Sequence, residues 1–418
     1  MPKIKIKGGQ ELSGTIKIGG AKNSVVALIP ASILCDEVAT ISNVPNITDV
    51  NDLEKILKHL NASYTKNRGQ IEIDSSKIVN VDIPKKLSSK LRASYYFMGA
   101  LLGRFNRVEM YFPGGCNIGA RPINLHLKGF ELLGAKVTED DDHFIIEAEK
   151  LKGNNIYLDF PSVGATINIM LAAVKAKGKT VIDNAAQEPE IVNVATFLNN
   201  MGAKIKGAGT STIVITGVKY LHSCFHEVIP DRIEAGTYLI IGSLLGNNLK
   251  ITNMIPNHLE ALIAKLNEAG VDMDIGLDNI VINKSLSYNA VNIKTLVYPG
   301  FPTDLQQIMA TFLTQCKGRS IIEETIYENR FKNLIELCRM GAQAKIRKNN
   351  RKAVIKGKTK LVGKHVVASD LRGGASLLVA GLIASGTTTI DNIEYILRGY
   401  DKIVEKLSKV GAKIEIIQ

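Results

Sequence analysis

Strongly apolar segments of helical length recur along the chain at intervals of about 70 residues. Residues 167–174 and 377–384 are apolar on nearly every side, and a helix of that kind is buried. Each segment follows a polar start. The six starts are Lys22-Asn23, Arg92-Ala93, Gly164-Ala165, Glu234-Ala235, Asp304-Leu305 and Gly374-Ala375. The pattern therefore predicts six buried helices at equivalent positions of a repeated unit.

A short phrase recurs with the same period: an apolar residue, then glycine and alanine or near matches, then a strand. Glycine at this place is typical of a helix C-terminus, because it adopts a left-handed backbone without penalty. An amphipathic helix precedes each phrase, as at residues 192–201 and 400–410, and a strand with a turn precedes that helix, as at residues 180–184. Each unit is therefore predicted to run strand, buried helix, strand, outer helix, strands. The phrases are Leu60-Asn61-Ala62-Ser63, Leu133-Gly134-Ala135-Lys136, Met201-Gly202-Ala203-Lys204, Ala269-Gly270-Val271-Asp272, Met340-Gly341-Ala342-Gln343 and Val410-Gly411-Ala412-Lys413.

Six units of this kind, three in each of two similar lobes, account for the chain. The prediction assigns residues 22–229 to an N-terminal lobe and residues 1–21 with 230–418 to a C-terminal lobe, so the chain would cross twice and its first strand would belong to the C-terminal lobe. The N-termini of buried helices carry partial positive charge and free N–H groups, which favour anions. If both lobes direct those ends into one cleft, we expect the cleft to bind a multiply charged anion and to hold the active site.

Composition narrows the class of protein. The chain has 418 residues, 45% of them hydrophobic, as in an ordinary globular protein of two domains. Its five cysteines are scattered without paired spacing, which disfavours a zinc site and fits a reducing cytoplasm. Residues 3–7 alternate like a half-exposed strand, not a secretory signal, and no apolar run is long enough to span a bilayer. The formal net charge of +12 indicates an anionic partner, either a phosphorylated metabolite or nucleic acid.

One loop combines a thiol with a guanidinium. Residues 113–122 contain three glycines and two prolines, which prevent a helix or a strand. Cys116 and Arg121 lie five positions apart in it. A nearby cation lowers the pKa of a thiol, so Cys116 could react or transfer protons. The alternative is a surface turn with an incidental cysteine, and the spacing alone does not decide between the two.

Polar residues at the helix starts and at the turns before the outer helices form a second set. Arginines are prominent among them, and arginine suits bidentate binding of carboxylate and phosphate. Each residue alone could equally be a helix cap or a surface ion pair, but the shared repeat positions favour function. His126 is expected to be structural, and P-loop, HExxH and GxSxG motifs are absent from the sequence. The set comprises Lys22, Asn23, Arg92, Ser162, Asp231, Arg232, Glu234, Asp304, Asp370, Arg372, Cys116, Arg121, Glu188, Glu190, Arg330 and Arg398.

Nine ordered stretches carry a resemblance to a known family. They are Gly19-Gly20-Ala21-Lys22-Asn23-Ser24, residues 113–122, Ser162-Val163-Gly164-Ala165-Thr166, Gln187-Glu188-Pro189-Glu190-Ile191, Pro230-Asp231-Arg232-Ile233-Glu234, Phe301-Pro302-Thr303-Asp304, Glu328-Asn329-Arg330-Phe331, Asp370-Leu371-Arg372 and Arg398-Gly399-Tyr400. With them the chain resembles the enolpyruvyl transferases from end to end, and within that family the members that act on UDP-N-acetylglucosamine.

This resemblance implies both a fold and a reaction. The fold is an inside-out α/β barrel whose two lobes close over the substrates. The reaction transfers the enolpyruvyl group of phosphoenolpyruvate to the 3′-hydroxyl of UDP-N-acetylglucosamine and releases phosphate, as the first committed step of peptidoglycan synthesis. No metal or organic cofactor and no nucleic-acid or membrane partner is expected, and the oligomeric state is left open.

The resemblance also assigns roles to single residues. Cys116 corresponds to the proton donor for the methylene carbon of phosphoenolpyruvate and to the thiol that fosfomycin alkylates, so sensitivity to fosfomycin is expected. Asp304 corresponds to the base for the sugar hydroxyl, although a carboxylate at a helix start is a weak base unless closure desolvates it. Lys22, Arg121 and Arg398 correspond to phosphate ligands, and Arg330 and Arg372 to groups around the carboxylate of phosphoenolpyruvate. The positions around the nucleotide sugar are Asn23, Arg92, Pro122, Ile123, Asn124, Leu125, Ser162, Val163, Gly164 and Ile326.

Departures at Phe160, Leu397 and Gly373-Gly374, and three alternatives, accompany this interpretation. Phe160 stands where some relatives have a lysine that contacts the nucleotide, so that contact is in doubt. The sister enzyme for shikimate 3-phosphate has a Gly-Ser-Lys-Ser loop where this chain reads Gly-Gly-Ala-Lys-Asn, and it lacks the cysteine loop. A nucleic-acid-binding scaffold would interleave aromatic and basic residues, yet this chain has no tryptophan. An inactive regulatory homologue is disfavoured by the intact Lys22, Cys116 and Asp304.

Overall fold

The structure is a computed structural model that describes residues 2–114, 118–119, 122–347 and 350–418. Cys116 and Arg121 lie outside the described residues. The described chain forms two compact units, each with its own hydrophobic core. We call residues 20–114 with 122–229 the N-terminal unit, and residues 2–19, 118–119 and 230–418 the C-terminal unit.

Strands and helices alternate along both units. The strands are β1 (Lys3–Lys7), β2 (Leu12–Lys17), β3 (Val38–Ser42), β4 (Ser63–Asn67), β5 (Gln70–Asp74), β6 (Arg107–Tyr111), β7 (Lys136–Glu139), β8 (His143–Glu147), β9 (Asn155–Tyr157), β10 (Lys179–Asp183), β11 (Lys204–Lys206), β12 (Thr212–Thr216), β13 (Cys224–Glu227), β14 (Gly246–Thr252), β15 (Met273–Ile275), β16 (Asn279–Ile282), β17 (Tyr288–Asn289), β18 (Ile293–Lys294), β19 (Cys316–Glu323), β20 (Gln343–Arg347), β21 (Lys352–Gly357), β22 (His365–Val367), β23 (Thr387–Asp391) and β24 (Lys413–Ile417). The α-helices are α1 (Lys22–Ala31), α2 (Thr48–His59), α3 (Lys85–Ser88), α4 (Tyr96–Phe105), α5 (Asn124–Leu132), α6 (Val163–Ala173), α7 (Pro189–Asn200), α8 (Arg232–Leu245), α9 (Glu260–Glu268), α10 (Thr303–Leu313), α11 (Asn333–Arg339), α12 (Leu371–Ile383), α13 (Glu394–Leu397) and α14 (Ile403–Lys409). Short 3₁₀ helices span Ser32–Leu34, Arg92–Tyr95 and Pro256–Leu259.

Six small sheets repeat one order of strands among the described residues. A central strand has a parallel partner on one side and an antiparallel pair of strands on the other. The N-terminal unit contains β13-β3-β5-β4, β6-β8-β7 and β9-β10-β12-β11, and the C-terminal unit contains β2-β14-β16-β15, β17-β19-β21-β20 with β18 beside β19, and β22-β23-β1-β24. Beside β6 the parallel partner is reduced to a bridge between Ile83 and Met110. The fold is therefore mixed α/β, with the predicted order of elements in each unit.

The six predicted buried helices are confirmed as α1, α4 and α6 in the N-terminal unit and α8, α10 and α12 in the C-terminal unit. Their bodies are buried on nearly all sides. They also approach one another closely. A Cβ atom on Gly99 of α4 would lie 2.3 Å from the backbone oxygen of Asn168 in α6, so this contact requires glycine.

The predicted helix ends are confirmed as well. Five glycines and one asparagine at the recurring phrase have positive φ angles between 67° and 111°, the left-handed conformation of a helix C-terminus. One outer helix differs from its prediction. Residues 400–410 do not form a continuous helix, because Lys402 has a φ of 51° and α14 begins only at Ile403. The six residues at the phrase are Asn61, Gly134, Gly202, Gly270, Gly341 and Gly411.

Candidate active site

The first turns of α10 and α12 and the segment before α11 bring three predicted site residues together in the C-terminal unit. Asp304 lies in the first turn of α10, and its Oδ1 accepts a hydrogen bond of 2.5 Å from Nη2 of Arg330. Its Oδ2 accepts a bond of 3.0 Å from Nη2 of Arg372. Both arginines are nearly inaccessible, with 3% and 5% of the side chain exposed, whereas Asp304 keeps 27%. The Asp304 carboxylate is therefore the partly exposed member of a cluster with two buried guanidinium groups.

Arg330 is held from three sides. Its Nε donates to Oγ1 of Thr303 at 3.2 Å, and its Nη1 donates to Oε1 of Gln307 at 3.3 Å. Its guanidinium also lies over the ring of Tyr327, 5.3 Å from the centroid. A side chain with this many fixed contacts presents its charge in one direction with little loss of entropy on binding.

Arg372 is held by its own helix start and by an aromatic ring. Asp370 caps α12, and its Oδ1 accepts from the backbone N–H groups of Arg372 and Gly373 at 3.1 and 3.0 Å. The Arg372 guanidinium lies 5.3 Å from the ring centroid of Tyr400, whose hydroxyl is 2.9 Å from Oγ1 of Thr237. Burial acts to lower the pKa of Arg372, but Tyr400, Asp304 and Asp231 outweigh it and raise this pKa. Arg372 is thus a permanent buried cation.

This cluster suits recognition of a carboxylate or phosphate group. Two guanidinium groups offer several fixed N–H donors, and such donors bind planar anions bidentately. Asp304 has both oxygens engaged with arginine. It can accept a proton from a hydroxyl only at a lone pair that the arginines leave open, or after an anionic ligand draws one arginine away.

The expectation of free N–H groups at the helix N-termini holds only in part. In α8, Oδ1 of Asp231 accepts from the N–H groups of Ile233 and Glu234 at 2.8 and 2.9 Å, and Asp370 does the same in α12. In α6, Oγ of Ser162 accepts from the N–H of Ala165 at 3.3 Å. Side chains therefore already satisfy donors at these three helices, and α1 has no such side-chain cap.

In the N-terminal unit, Lys22 is paired with a buried carboxylate. Lys22 is the first residue of α1, and its Nζ lies 3.1 Å from Oδ2 of Asp49 in the first turn of α2. The side chain of Asp49 is 3% exposed and that of Lys22 is 16% exposed. The ammonium is therefore fixed at the surface of the unit and remains partly open to solvent.

A second cluster of the N-terminal unit surrounds Arg92. Its guanidinium lies 5.6 Å from the ring centroid of Tyr95, which meets His126 edge-on at 4.9 Å. Nδ1 of His126 lies 2.9 Å from Nδ2 of Asn168. Burial, with a smaller contribution from Arg92, lowers the pKa of His126 to about 3. His126 is therefore neutral and structural, as the sequence indicated.

Gly164 belongs to the same cluster. A Cβ at this position would lie 2.8 Å from the hydroxyl of Tyr95 and 2.9 Å from Cε1 of His126. The predicted site residues Arg92 and Gly164 are thus brought together through Tyr95, and any larger residue at 164 would displace that ring.

The remaining predicted residues are scattered over helix ends and turns. Asn23 follows Lys22 in α1, and Pro122, Ile123, Asn124 and Leu125 lie at the start of α5. Ser162 caps α6 and Val163 is its first residue, while Arg398 follows the last residue of α13. The backbone N–H of Ile326 donates to Oε1 of Glu324 at 2.9 Å. Phe160 is 45% exposed, so its ring is available to solvent.

Asp49, Thr303 and Tyr400 are members of these clusters that were not predicted as site residues. The repeat offered a signal for Asp49, because it occupies the first turn of an outer helix just as Glu190 does in α7, and both side chains are buried. Thr303 and Tyr400 stand in stretches that carry the resemblance, but their role was not predicted, because each acts through a contact with an arginine distant in the sequence. Over the described parts of the chain, no group of three or more His, Cys, Asp or Glu side chains could hold a metal ion.

Comparison with known proteins gives a consistent result. Residues 6–407 match the family model of EPSP synthase (3-phosphoshikimate 1-carboxyvinyltransferase). UDP-N-acetylglucosamine 1-carboxyvinyltransferase 2 of Listeria monocytogenes is 54% identical over 412 residues, which are 99% of this chain and 97% of that protein. The protein of the same name from Geobacillus kaustophilus is 52% identical over 414 residues, 99% of this chain and 96% of that one.

Solved structures agree with the sequence matches. The enolpyruvyl transferase NikO from Streptomyces tendae superposes with a TM-score of 0.89 at 26% identity, over 99% of this chain and 98% of that one. EPSP synthase from Acinetobacter baumannii superposes with a TM-score of 0.76 over the full length of both chains, and its 17% identity speaks for the fold alone. In the parts of the chain that the structure covers, no helix is both long and apolar enough to cross a membrane.

Proposed function

The chain belongs to the EPSP synthase family of enolpyruvyl transferases, and from that premise we propose that it transfers the enolpyruvyl group of phosphoenolpyruvate to the 3′-hydroxyl of UDP-N-acetylglucosamine in peptidoglycan synthesis. The observation that carries this choice of acceptor is the 54% identity, over 99% of the chain, to an enzyme named for that sugar nucleotide. Identity to the structure of a shikimate-pathway member is only 17%.

The proposed chemistry is an addition followed by an elimination. The thiol of Cys116 gives its proton to the methylene carbon of phosphoenolpyruvate, and the neighbouring carbon becomes cationic. The 3′-oxygen of the sugar forms a bond to that carbon while Asp304 accepts the hydroxyl proton. The Cys116 thiolate then takes back a proton from the new methyl group, the carbon–oxygen bond to phosphate breaks, and the double bond is restored as phosphate leaves. Asp304 passes the proton it accepted to the departing phosphate or to solvent.

The cationic groups have complementary proposed roles. Arg330 and Arg372 bind the carboxylate of phosphoenolpyruvate, which would draw them from Asp304 and open its oxygens to the sugar hydroxyl. Lys22, Arg121 and Arg398 bind the phosphate, which develops charge as it leaves. Asn23, Arg92, Ser162, Val163, Gly164, Ile326 and residues 122–125 bind the sugar nucleotide.

Two broader features belong to the same proposal. The three units of each lobe form an inside-out α/β barrel, which the burial of three central helices in each unit supports. The enzyme works in the cytoplasm, and Cys35, Cys224, Cys316 and Cys338, which are free thiols in the structure, fit a reducing compartment.

Phosphate release with each of two acceptors tests the function. With phosphoenolpyruvate, we expect release with UDP-N-acetylglucosamine and none above background with shikimate 3-phosphate. Cys116→Ala should abolish turnover while circular dichroism stays unchanged, because the proton donor is lost and the fold is not. Release with shikimate 3-phosphate alone, or full activity of folded Cys116→Ala, would contradict the proposal.

A further inference from the structure

The first residue after the central strand of each sheet follows a repeated rule. In four of the six repeats, this residue is an asparagine with a left-handed backbone and a φ between 54° and 57°. The side-chain amide of each donates to a backbone carbonyl at the end of the parallel partner, at 2.7 to 3.4 Å. Asparagine is suited to this turn because it tolerates the left-handed region. The four are Asn43, Asn184, Asn253 and Asn392.

Two of the six repeats depart from this rule. In each of them, the residue after the central strand immediately precedes a segment that contains predicted site residues. Phe112 follows β6 and precedes residues 113–122, which the sequence predicts as a loop with Cys116. Glu324 follows β19 and precedes the loop that ends at Arg330. Glu324 does not share the left-handed backbone of the four asparagines, so it does not serve as a longer version of the same turn.

Glu324 is fully buried and accepts four hydrogen bonds. Its Oε1 accepts from Oγ1 of Thr295 at 2.9 Å and from the backbone N–H groups of Ile326 and Tyr327 at 2.9 and 3.2 Å. Its Oε2 accepts from Oγ1 of Thr303 at 3.0 Å. An asparagine has a single acceptor oxygen on a shorter side chain, so it could not hold the loop and the helix start together.

Both carboxylate oxygens of Glu324 bind groups that contact the same arginine, Arg330. Through Oε2, Glu324 fixes the hydroxyl of Thr303, which accepts from Nε of Arg330 at 3.2 Å. Through Oε1 it fixes the loop whose Tyr327 ring lies 5.3 Å from the Arg330 guanidinium. Arg330 in turn contacts Asp304.

We propose that Glu324 is a positioning residue that holds the Arg330 guanidinium in place for the carboxylate of phosphoenolpyruvate. The proposal rests on the function proposed above. Glu324 does not touch substrate itself. It replaces the turn asparagine of the repeat at the place where a loop must present a charged side chain in a fixed orientation.

The test compares Glu324→Gln and Glu324→Asn with the control Glu323→Gln. Glu323 is the preceding residue, and its side chain is 35% exposed and pairs with Lys352 at 3.0 Å, so the control makes the same chemical change one position away. We expect kcat/KM for phosphoenolpyruvate to fall about tenfold to a hundredfold in both Glu324 variants, because misplacing one binding group by a fraction of an ångström has effects of this size. The KM for UDP-N-acetylglucosamine should rise less than the KM for phosphoenolpyruvate, because Arg330 meets only phosphoenolpyruvate, whereas the sugar nucleotide senses the change only through the backbone of Ile326.

A double-mutant cycle separates positioning from general destabilisation. If Glu324 acts through Thr303, then Glu324→Gln with Thr303→Val should cost little more than the larger single change. Additive losses, a larger loss for UDP-N-acetylglucosamine than for phosphoenolpyruvate, or wild-type kinetics in folded Glu324→Gln would overturn the proposal. If Glu324→Asn does not fold, Glu324→Gln and Thr303→Val still provide the test.

A readout without turnover keeps this proposal distinct from the proposed function. In protein labelled with ¹⁵N-arginine, the Nε–H signal of Arg330, assigned by its loss in Arg330→Lys, should exchange slowly with solvent in wild type and in Glu323→Gln. It should exchange faster in Glu324→Gln, because the Thr303 acceptor is no longer fixed. An unchanged Arg330 signal would refute the positioning role even if the enzyme is active. A changed Arg330 signal would support the positioning role even if the enzyme uses an acceptor substrate other than UDP-N-acetylglucosamine.

Discussion

At the scale of single residues, each unit surrounds a candidate binding side chain with buried partners. Lys22 is fixed by the carboxylate of Asp49, whose side chain is 3% exposed, and Arg372 is fixed by Asp304 and by the ring of Tyr400. Removing one member of a buried pair leaves the other without its counter-charge, which is strongly destabilising. A loss of activity in Lys22 or Arg372 variants must therefore be separated from a loss of folding, for example by changing both members of the pair.

His126 provides a prediction about pH. Its pKa of about 3 in the folded chain lies below the usual value of 6.5, chiefly because burial excludes the charged form. The unfolded chain takes up a proton as the pH falls through 6.5, and the folded chain does not, so this histidine lowers stability progressively below that pH. At pH 5 the expected loss is about 2 kcal/mol relative to pH 7.5.

Urea unfolding at the two pH values measures this loss, and hydrogen exchange of α6 at the same pH values provides a local measurement beside His126. His126→Gln, which cannot be protonated in this range, should lose about 2 kcal/mol less than wild type between pH 7.5 and pH 5. His222→Gln is the control, because His222 is an exposed histidine of the same unit. Equal pH dependence in wild type and His126→Gln would show that His126 does not carry the effect.

At the scale of elements, the repeated helix ends allow one substitution to be judged by another unit. Gly270 has a φ of 89°, and a Cβ there would meet only the backbone oxygen of Ser287, at 3.9 Å. The equivalent residue of the first unit is Asn61, with a φ of 67°. Space is therefore available at 270, and only the left-handed backbone limits which residue can stand there.

Gly270→Ala is expected to lower the free energy of unfolding by about 1 to 2 kcal/mol, the strain of a left-handed backbone with a Cβ. Gly270→Asn should lower it by less although asparagine is larger, because asparagine tolerates this conformation. Urea midpoints of the C-terminal unit provide the comparison. If asparagine were as destabilising as alanine, crowding and not backbone conformation would limit this position.

The repeated elements could be predicted because their causes are local in sequence. A helical segment that is apolar on all sides, a polar start and a glycine at the end of the outer helix are visible within short stretches of sequence. These features located the six buried helices and the ends of the outer helices. The prediction of a continuous outer helix at residues 400–410 was wrong, because the left-handed backbone at Lys402 interrupts it. No glycine stands at 402 to mark the break in the sequence.

Contacts within the candidate site depend on distant parts of the chain. Asp304 meets Arg330 across 26 positions and Arg372 across 68, and no local pattern pairs these residues. The sequence supplied their identities through the resemblance, and the structure adds which atoms meet. Glu324 escaped notice because its role emerges only when the turn asparagines of four other units are set beside it.

At the scale of the whole molecule, the order of the chain and the order of the sheets differ. β1 and β2 come first in the sequence, yet they complete sheets with β23 and β14 of the C-terminal unit. The N-terminal unit is thus inserted into the C-terminal one. The crossing segments are paired within each unit, since Asp231 donates its N–H to the oxygen of Gly19, and Ala21 donates its N–H to the oxygen of Ile229.

β1 lies between β23 and β24, and its buried residues therefore support the last sheet of the C-terminal unit. Ile6 is fully buried, opposite Thr388 and Ile414 in the neighbouring strands, and its Cδ1 would lie 3.0 Å from a Cβ on Gly381 of α12. Ile6→Ala should lower the free energy of unfolding by about 2 to 5 kcal/mol, through lost burial and the cavity that remains.

Hydrogen exchange decides where that loss is felt. In Ile6→Ala, exchange should accelerate in β22, β23, β24 and α12, and it should stay unchanged in β3 and β5. Ile41→Ala in β3 removes an equally buried isoleucine from the N-terminal unit and should give the reverse pattern. A chain that folded strictly in sequence order would couple β1 to β3, the next unit along the chain. β1 is hydrogen-bonded to both β23 and β24, so weakening β1 must expose these two strands to exchange. Accelerated exchange of β3 in Ile6→Ala, with β23 unaffected, would therefore contradict the inserted arrangement.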